Sequence, residues 1–178
     1  MIIVPTDLVR VPYLPAEHDM AAWVAHQRTP KTMASSTRCH GRSERQVFTD
    51  HRKGTLNERA TSRSLGPDAY ADNERRLSRT DIDYDPGGVD FTYLGNDFDP
   101  KLQDPPHTVS IDRAVATWTV MKPMCRIVRK NVYIFSFEEA DGSGIVIIGG
   151  CRGEVLQGGS MPAMRDLVSF TNIKAGRV

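Results

Sequence analysis

Cysteine is scarce and unpaired in this 178-residue sequence: Cys39, Cys125 and Cys151 are odd in number and widely spaced. No Cys-x-x-Cys pair exists, which argues against a disulfide framework and a thiolate zinc site and points to a reducing compartment. Long hydrophobic runs are missing too. The longest, Gly144 to Gly150, is far short of the roughly 20 residues that span a bilayer. The N-terminal apolar start is broken by Asp7 and Arg10, so no secretory leader is read there. The formal net charge of +1 gives no polyanion-binding signal by itself. No phosphate-cradling glycine loop followed by Lys and Ser or Thr occurs, nor a Gly-x-Gly-x-x-Gly after a strand. The histidines, His18, His26, His40, His51 and His107, have no ligand spacing on one element.

What is present is arginine, 17 against 6 lysines, arranged in blocks. Residues 28–63 carry nine basic and three acidic side chains, and residues 68–104 carry ten acidic and four basic. Adjacent blocks of opposite sign can neutralise one another within the chain or between copies.

The chain divides into 1–30, 31–107 and 108–178. In the first part a strand-like start, Ile2 to Val4, precedes a helix expected over Ala16 to Arg28, with Trp23 as its anchor and Pro30 as its stop. In the middle part only ten large apolar side chains occur in the 62 positions from Thr29 to Asp90. They follow neither a helical nor an alternating period. Ordering each residue costs about 1–2 kcal/mol, and a buried apolar side chain returns about 1.5–3 kcal/mol. The expectation is therefore a long, extended, mostly irregular arm that needs a partner surface. One short helix is expected in it, Asp68 to Arg79, with Asp72 placed to meet Arg75 or Arg76.

The last part reads as the folded core. Strands are expected at Ala116–Val120, Cys125–Val128, Val132–Phe137, Ile145–Ile148 and Glu154–Leu156. An Asp141-Gly142 hairpin joins the middle pair, and a closing helix opens at Ser160. The fold class is thus α+β: a small antiparallel sheet with one packed C-terminal helix, preceded by the arm.

Three chemistries suggest themselves. Asp81, Asp83, Asp85 and Asp90 alternate towards Gly87 and Gly88 and suit a calcium loop, with Asn96, Asp97 and Asp99 as further oxygens. The pattern departs from a helix–loop–helix calcium site at Pro86, Gly87 and Thr92. Cys151, in Gly149-Gly150-Cys151-Arg152-Gly153, locally resembles the nucleophile turn of chymotrypsin-like cysteine proteases, which implies a cysteine-nucleophile hydrolase with His40 or His51 as base. The arginines of residues 28–63 suit phosphate backbones, as in a ribonucleoprotein or organellar assembly.

The leading expectation is a non-enzymatic assembly protein of a large particle, a virion component (capsid, connector or cement), located in the virion or cytoplasm. Its arm would bind neighbouring subunits or copies of itself through Trp23, Arg38, Arg42, Arg45, Phe48, Arg52, Arg59, Tyr70, Arg75 and Arg76. No resident cofactor and no membrane contact are expected.

Overall fold

The computed structural model describes residues 7–35, 41–79, 89–104, 109–123 and 126–178. The expected strand at Ile2–Val4, the pair Cys39–His40, Arg38, Asp81, Asp83, Asp85 and Cys125 lie outside the described residues.

The described residues of the segment expected to form an arm are mostly helical, which corrects the fold class. After β1 (Val9–Pro12) come α1 (Pro15–Met33), α2 (Glu44–Leu65) and α3 (Pro67–Leu77). Then follow β2 (Phe91–Tyr93), β3 (Asn96–Gln103), α4 (Ile111–Thr117), β4 (Val132–Glu138), β5 (Gly144–Arg152), α5 (Gly153–Gln157), a single 3-10 turn at Met164–Asp166, and α6 (Phe170–Lys174). One five-stranded sheet runs in the order β1-β5-β4-β3-β2. It is mixed rather than antiparallel, because β3 and β4 are parallel, Phe98 pairing with Val132 and Gln103 with Phe137. The parallel pair requires a long crossover, and the stretch carrying α4 supplies it.

The error in the arm prediction has a physical cause. The middle stretch does need a partner surface, and the chain itself provides one. Leu56, Ala60, Leu65 and Ala69 pack with Val132, Ile134, Ile145 and Ile147 on one face of the sheet. Much of the remaining contact is made by small or polar side chains that a count of large apolar residues ignores: Thr55, Asn57, Glu58, Arg59, Thr61 and Ser62 of α2 are all buried. Asn57 Oδ1 accepts from Ser136 Oγ on β4 at 2.5 Å.

Pro30 does not end α1. The proline forfeits one backbone bond, yet the helix runs on because Thr29 and Thr32 are buried in its last turns and Thr32 Oγ1 meets His51 Nε2 at 2.9 Å. At the other end Glu17, fully buried, accepts from Leu14 N at 2.8 Å and from Arg63 Nε at 2.9 Å, which ties α1 to α2.

In the C-terminal stretch β4 is buried on both faces as expected. Val132 and Ile134 face the long helices, whereas Tyr133, Phe135 and Phe137 pack with Val115, Leu156, Met164 and Leu167. The hairpin after β4 also forms where expected, Asp141 Oδ1 accepting from Ser143 N at 3.0 Å. Other expectations fail. Ala116–Thr117 end helix α4, and only Thr119 bridges, to Ala163. Residues 126–128 form no strand, and Glu154–Leu156 belong to α5. The single closing helix is replaced by the 3-10 turn and α6. Among the described residues no helix is long and apolar enough to cross a membrane.

Candidate carboxylate site

Where α2 passes the β2–β3 hairpin, a pair of buried or half-buried carboxyl groups, Asp90 and Asp99, lies within electrostatic reach of a third, Glu58. The hairpin is set by its turn: Leu94 and Gly95 both have positive φ, 47° and 74°, the combination that two-residue antiparallel turns favour and that Gly adopts freely. Its register pairs Phe91 with Phe98, which places Asp90 opposite Asp99, and Asp90 N donates to Phe98 O at 3.0 Å. Asp99 and Lys101 are two apart on β3 and so share a face. Lys101 Nζ forms an ion pair with Asp99 Oδ1. Glu58, from the middle of α2, is the third carboxyl.

Burial of these groups is offset in part by Lys101, which is ion-paired with Asp99, and by Arg28 near Glu58. Asp99 is 1 % exposed and is held by the Lys101 ion pair and a hydrogen bond to the Asp90 side chain, whereas Glu58 Oε2 is buried without a hydrogen-bond partner. Burial raises the pKa of Glu58, opposed by Arg28 and then Lys101 and reinforced by Asp99. Asp90 is held well above the ordinary carboxylate range by burial and then by the charges of Glu58 and Asp99. Asp99 is raised by burial against the pull of Lys101. Like charges crowded in a poorly solvated place retain protons, or they take up a cation in the proton's place.

Folding therefore tightens proton binding here, so these groups weaken the fold as pH climbs above their unfolded values. Glu58→Gln is expected to be more stable than the parent chain at pH 7 in the presence of a chelator. The advantage closes as pH falls towards the ordinary glutamate value of 4.5. Urea unfolding across that range checks it, and a variant that is less stable at pH 7 contradicts it.

One further basic group, Arg28, borders the site, and others lie beyond it towards the start of α2. Arg28 is the strongest opposing charge at Glu58, and it also lies near His51. Burial, then Arg28 and Arg42, lowers His51 to about 4, so its ring is neutral near pH 7. Arg42 pairs with Asp50 at 2.6 Å, and Arg45 is exposed one turn away on α2.

The residues expected to bind a partner are dispersed. Trp23 is 40 % exposed on α1. Phe48 is half-buried edge-on to His26 at 4.9 Å, and Arg52 meets His18 Nδ1 at 3.1 Å. Arg59 is buried over the ring of Tyr70 at 3.8 Å. Arg75 and Arg76 both bind Asp72, as the spacing predicts. Of the four aspartates assigned to a calcium loop, Asp90 alone is described, and it stands with Asp99 rather than with the exposed Asp97. Cys151 is not in a turn. It lies within β5, buried, with its thiol pushed up to about 12 by burial, the opposite of an activated nucleophile.

Glu58, Asp99 and Lys101 carry the site and were not assigned to one from the sequence, apart from Asp99 as an extra oxygen. The available signal was the Asp99-x-Lys101 alternation one hairpin after Asp90. The two charge blocks meet here through their minority members, Glu58 from the basic block and Lys101 from the acidic one. No protein-family model, curated protein or solved structure matches this chain.

Proposed function

We propose that this protein is a divalent-cation-dependent phosphodiesterase acting on nucleic acid. The observation that carries the reading is the shared environment of Asp90, Asp99 and Glu58 beside Lys101: Asp99 pairs with Lys101 and with the Asp90 side chain, and Glu58 Oε2 is buried without a hydrogen-bond partner. Among the described residues no three His, Cys, Asp or Glu side chains stand close enough to cage a metal ion. Magnesium does not require a cage: it keeps several waters and is held by one or two carboxylates plus substrate phosphate. Asp90 and Asp99 would be the two carboxylates to hold such an ion, with Glu58 outside its ligands.

A bound divalent ion supplies Lewis acidity and an acidified water. The side chains do the rest. Glu58 would orient the attacking water and take its proton, its raised proton affinity fitting it to that step near neutral pH. Lys101, a compact charge beside Asp99, offsets the negative charge that builds on the phosphoryl oxygens. Arg28, Arg42 and Arg45 attract the phosphate backbone, which retains the nucleic-acid reading of residues 28–63. An assembly role in a virion or other particle rested on an extended arm, and that premise falls with the arm.

Fluorescent single- and double-stranded DNA and RNA, incubated with the protein and Mg²⁺ or Mn²⁺, are expected to be cleaved, and a chelator is expected to stop the reaction. Cleavage that continues in the chelator, or none of any substrate with either ion, sinks the proposal.

A further inference from the structure

Among the described residues β2 is an end strand of the sheet, paired only on its β3 side. An end strand presents backbone donors and acceptors that invite a further strand. A strand laid against β2 opposite Phe91 would donate to Asp90 O and accept from Thr92 N. Both groups are already taken by α3. Asn73, fully buried, donates from Nδ2 to Asp90 O at 3.2 Å, and Asp72 Oδ2 accepts from Thr92 N at 2.8 Å. Two neighbouring side chains of one helix thus supply the donor and the acceptor of a strand backbone. Arg76 braces them, donating from Nε to the same Asp72 oxygen at 2.9 Å, from Nη2 to Thr92 Oγ1 at 3.1 Å and from Nη1 to Val89 O at 3.5 Å.

The other end of the sheet is closed within the strand itself. Pro12 of β1 has no N–H to offer, and its carbonyl accepts from Arg63. The closure of β2 lies instead on a separate element with a light apolar hold, since Ala69 and Leu77 are the buried apolar side chains of α3. That helix joins α2 through Gly66 alone, at φ 152°, a conformation open chiefly to glycine. The strand beneath it, Phe91-Thr92-Tyr93, is uncharged and made of residues that favour sheets. Paired antiparallel about a two-fold axis at Phe91, two copies would exchange bonds from Thr92 N to Asp90 O and set each Asp90 against a threonine, not against another carboxylate. We infer that α3 is an autoinhibitory strap: Asp72 and Asn73 stand in for the backbone of a further strand, and when α3 lifts, the β2 edge pairs with the same edge of a second copy of this chain. The inference uses neither the cation nor the phosphodiesterase reading.

Analytical ultracentrifugation of the full chain over a concentration series reads the strap. The double variant Asp72→Ala, Asn73→Ala is expected to dimerise at least about tenfold more tightly than the parent, the worth of one or two net hydrogen bonds. Adding Thr92→Pro removes the N–H from the freed edge, a place where proline is tolerated, and returns association to the parental level. Val115→Ala, which leaves a gap in the cluster on the other face of the sheet, associates as the parent does.

A folded double variant that associates no more tightly than the parent overturns the inference. Association that survives Thr92→Pro places the contact elsewhere and overturns it too, as does equal association in Val115→Ala, which traces the effect to general loosening. Should the double variant not fold, Asp72→Asn decides, because the amide keeps the shape but loses the charge that binds Arg75 and Arg76. Association at the parental level then counts against the strap.

Discussion

Asp99→Asn is expected to cut cation-dependent cleavage by at least about a thousandfold, or roughly 4 kcal/mol of transition-state stabilisation, while leaving a folded protein that is no less stable without metal. Two features of Asp99 combine to give that result. It is the most deeply buried carboxyl of the three, and it is the one placed opposite Asp90 and in ion-pair contact with Lys101. The amide keeps shape and volume but supplies no charge to a cation.

Removing a buried charge that is raised in pKa also removes an unfavourable contribution at pH 7, so activity and stability move in opposite directions. Lys101→Met separates the roles. It is expected to lose comparable activity while binding Mn²⁺ at least as tightly as the parent, because the cation no longer competes with an ammonium. Steady-state cleavage rates with thermal unfolding in chelator and in Mn²⁺ provide the check. Near-parental activity in Asp99→Asn removes the site from consideration.

Gly153→Val is expected to destabilise the chain by more than about 4 kcal/mol, a loss few single changes reach, and to leave little folded protein. An ideal Cβ at Gly153 would lie 2.1 Å from Val128 O and 3.0 Å from the Tyr133 ring, and Tyr133 is itself fully buried with its hydroxyl accepting from Val128 N at 2.8 Å. Two of the three clashing atoms are backbone, so no rotamer change relieves the overlap; the start of α5 and the segment at Val128 must part, and overpacking that moves backbone is the costly kind. Urea unfolding or soluble yield reads the effect. A folded variant within about 1 kcal/mol of the parent, well inside the ordinary range, contradicts the packing. The glycine run that locally resembles a nucleophile turn is thus explained by close approach: an ideal Cβ at Gly150 would likewise lie 2.5 Å from Tyr133 O.

Several features followed from local chemistry and survive in the structure. Strand β4 was readable because apolar residues on both faces mean burial on both faces, and it occupies the third place in a five-stranded sheet. The Asp141-Gly142 hairpin and the Asp72 pairing with Arg75 and Arg76 depend on neighbours in sequence, which is why they could be read from it.

Helix α2 could not be read that way. A buried helix normally declares itself by an apolar stripe, but positions 55–62 present Thr, Leu, Asn, Glu, Arg, Ala, Thr and Ser to the interior. Polar burial carries no hydrophobic period, and its partners are distant: Ser136 for Asn57, Tyr70 for Arg59, Lys101 and Arg28 for Glu58. The same cause hid the site. Asp90, Asp99 and Lys101 come together through one hairpin, yet what turns them from surface charges into a site is a helix whose relevant residue lies 32 positions before Asp90.

Local pattern therefore decided the turns, the central strand and the ion pairs one helical turn apart, since each is an interaction between near neighbours. Tertiary structure alone decided which carboxylates are buried together, because desolvation and like-charge crowding are set by whatever the fold brings alongside, however far away in the chain.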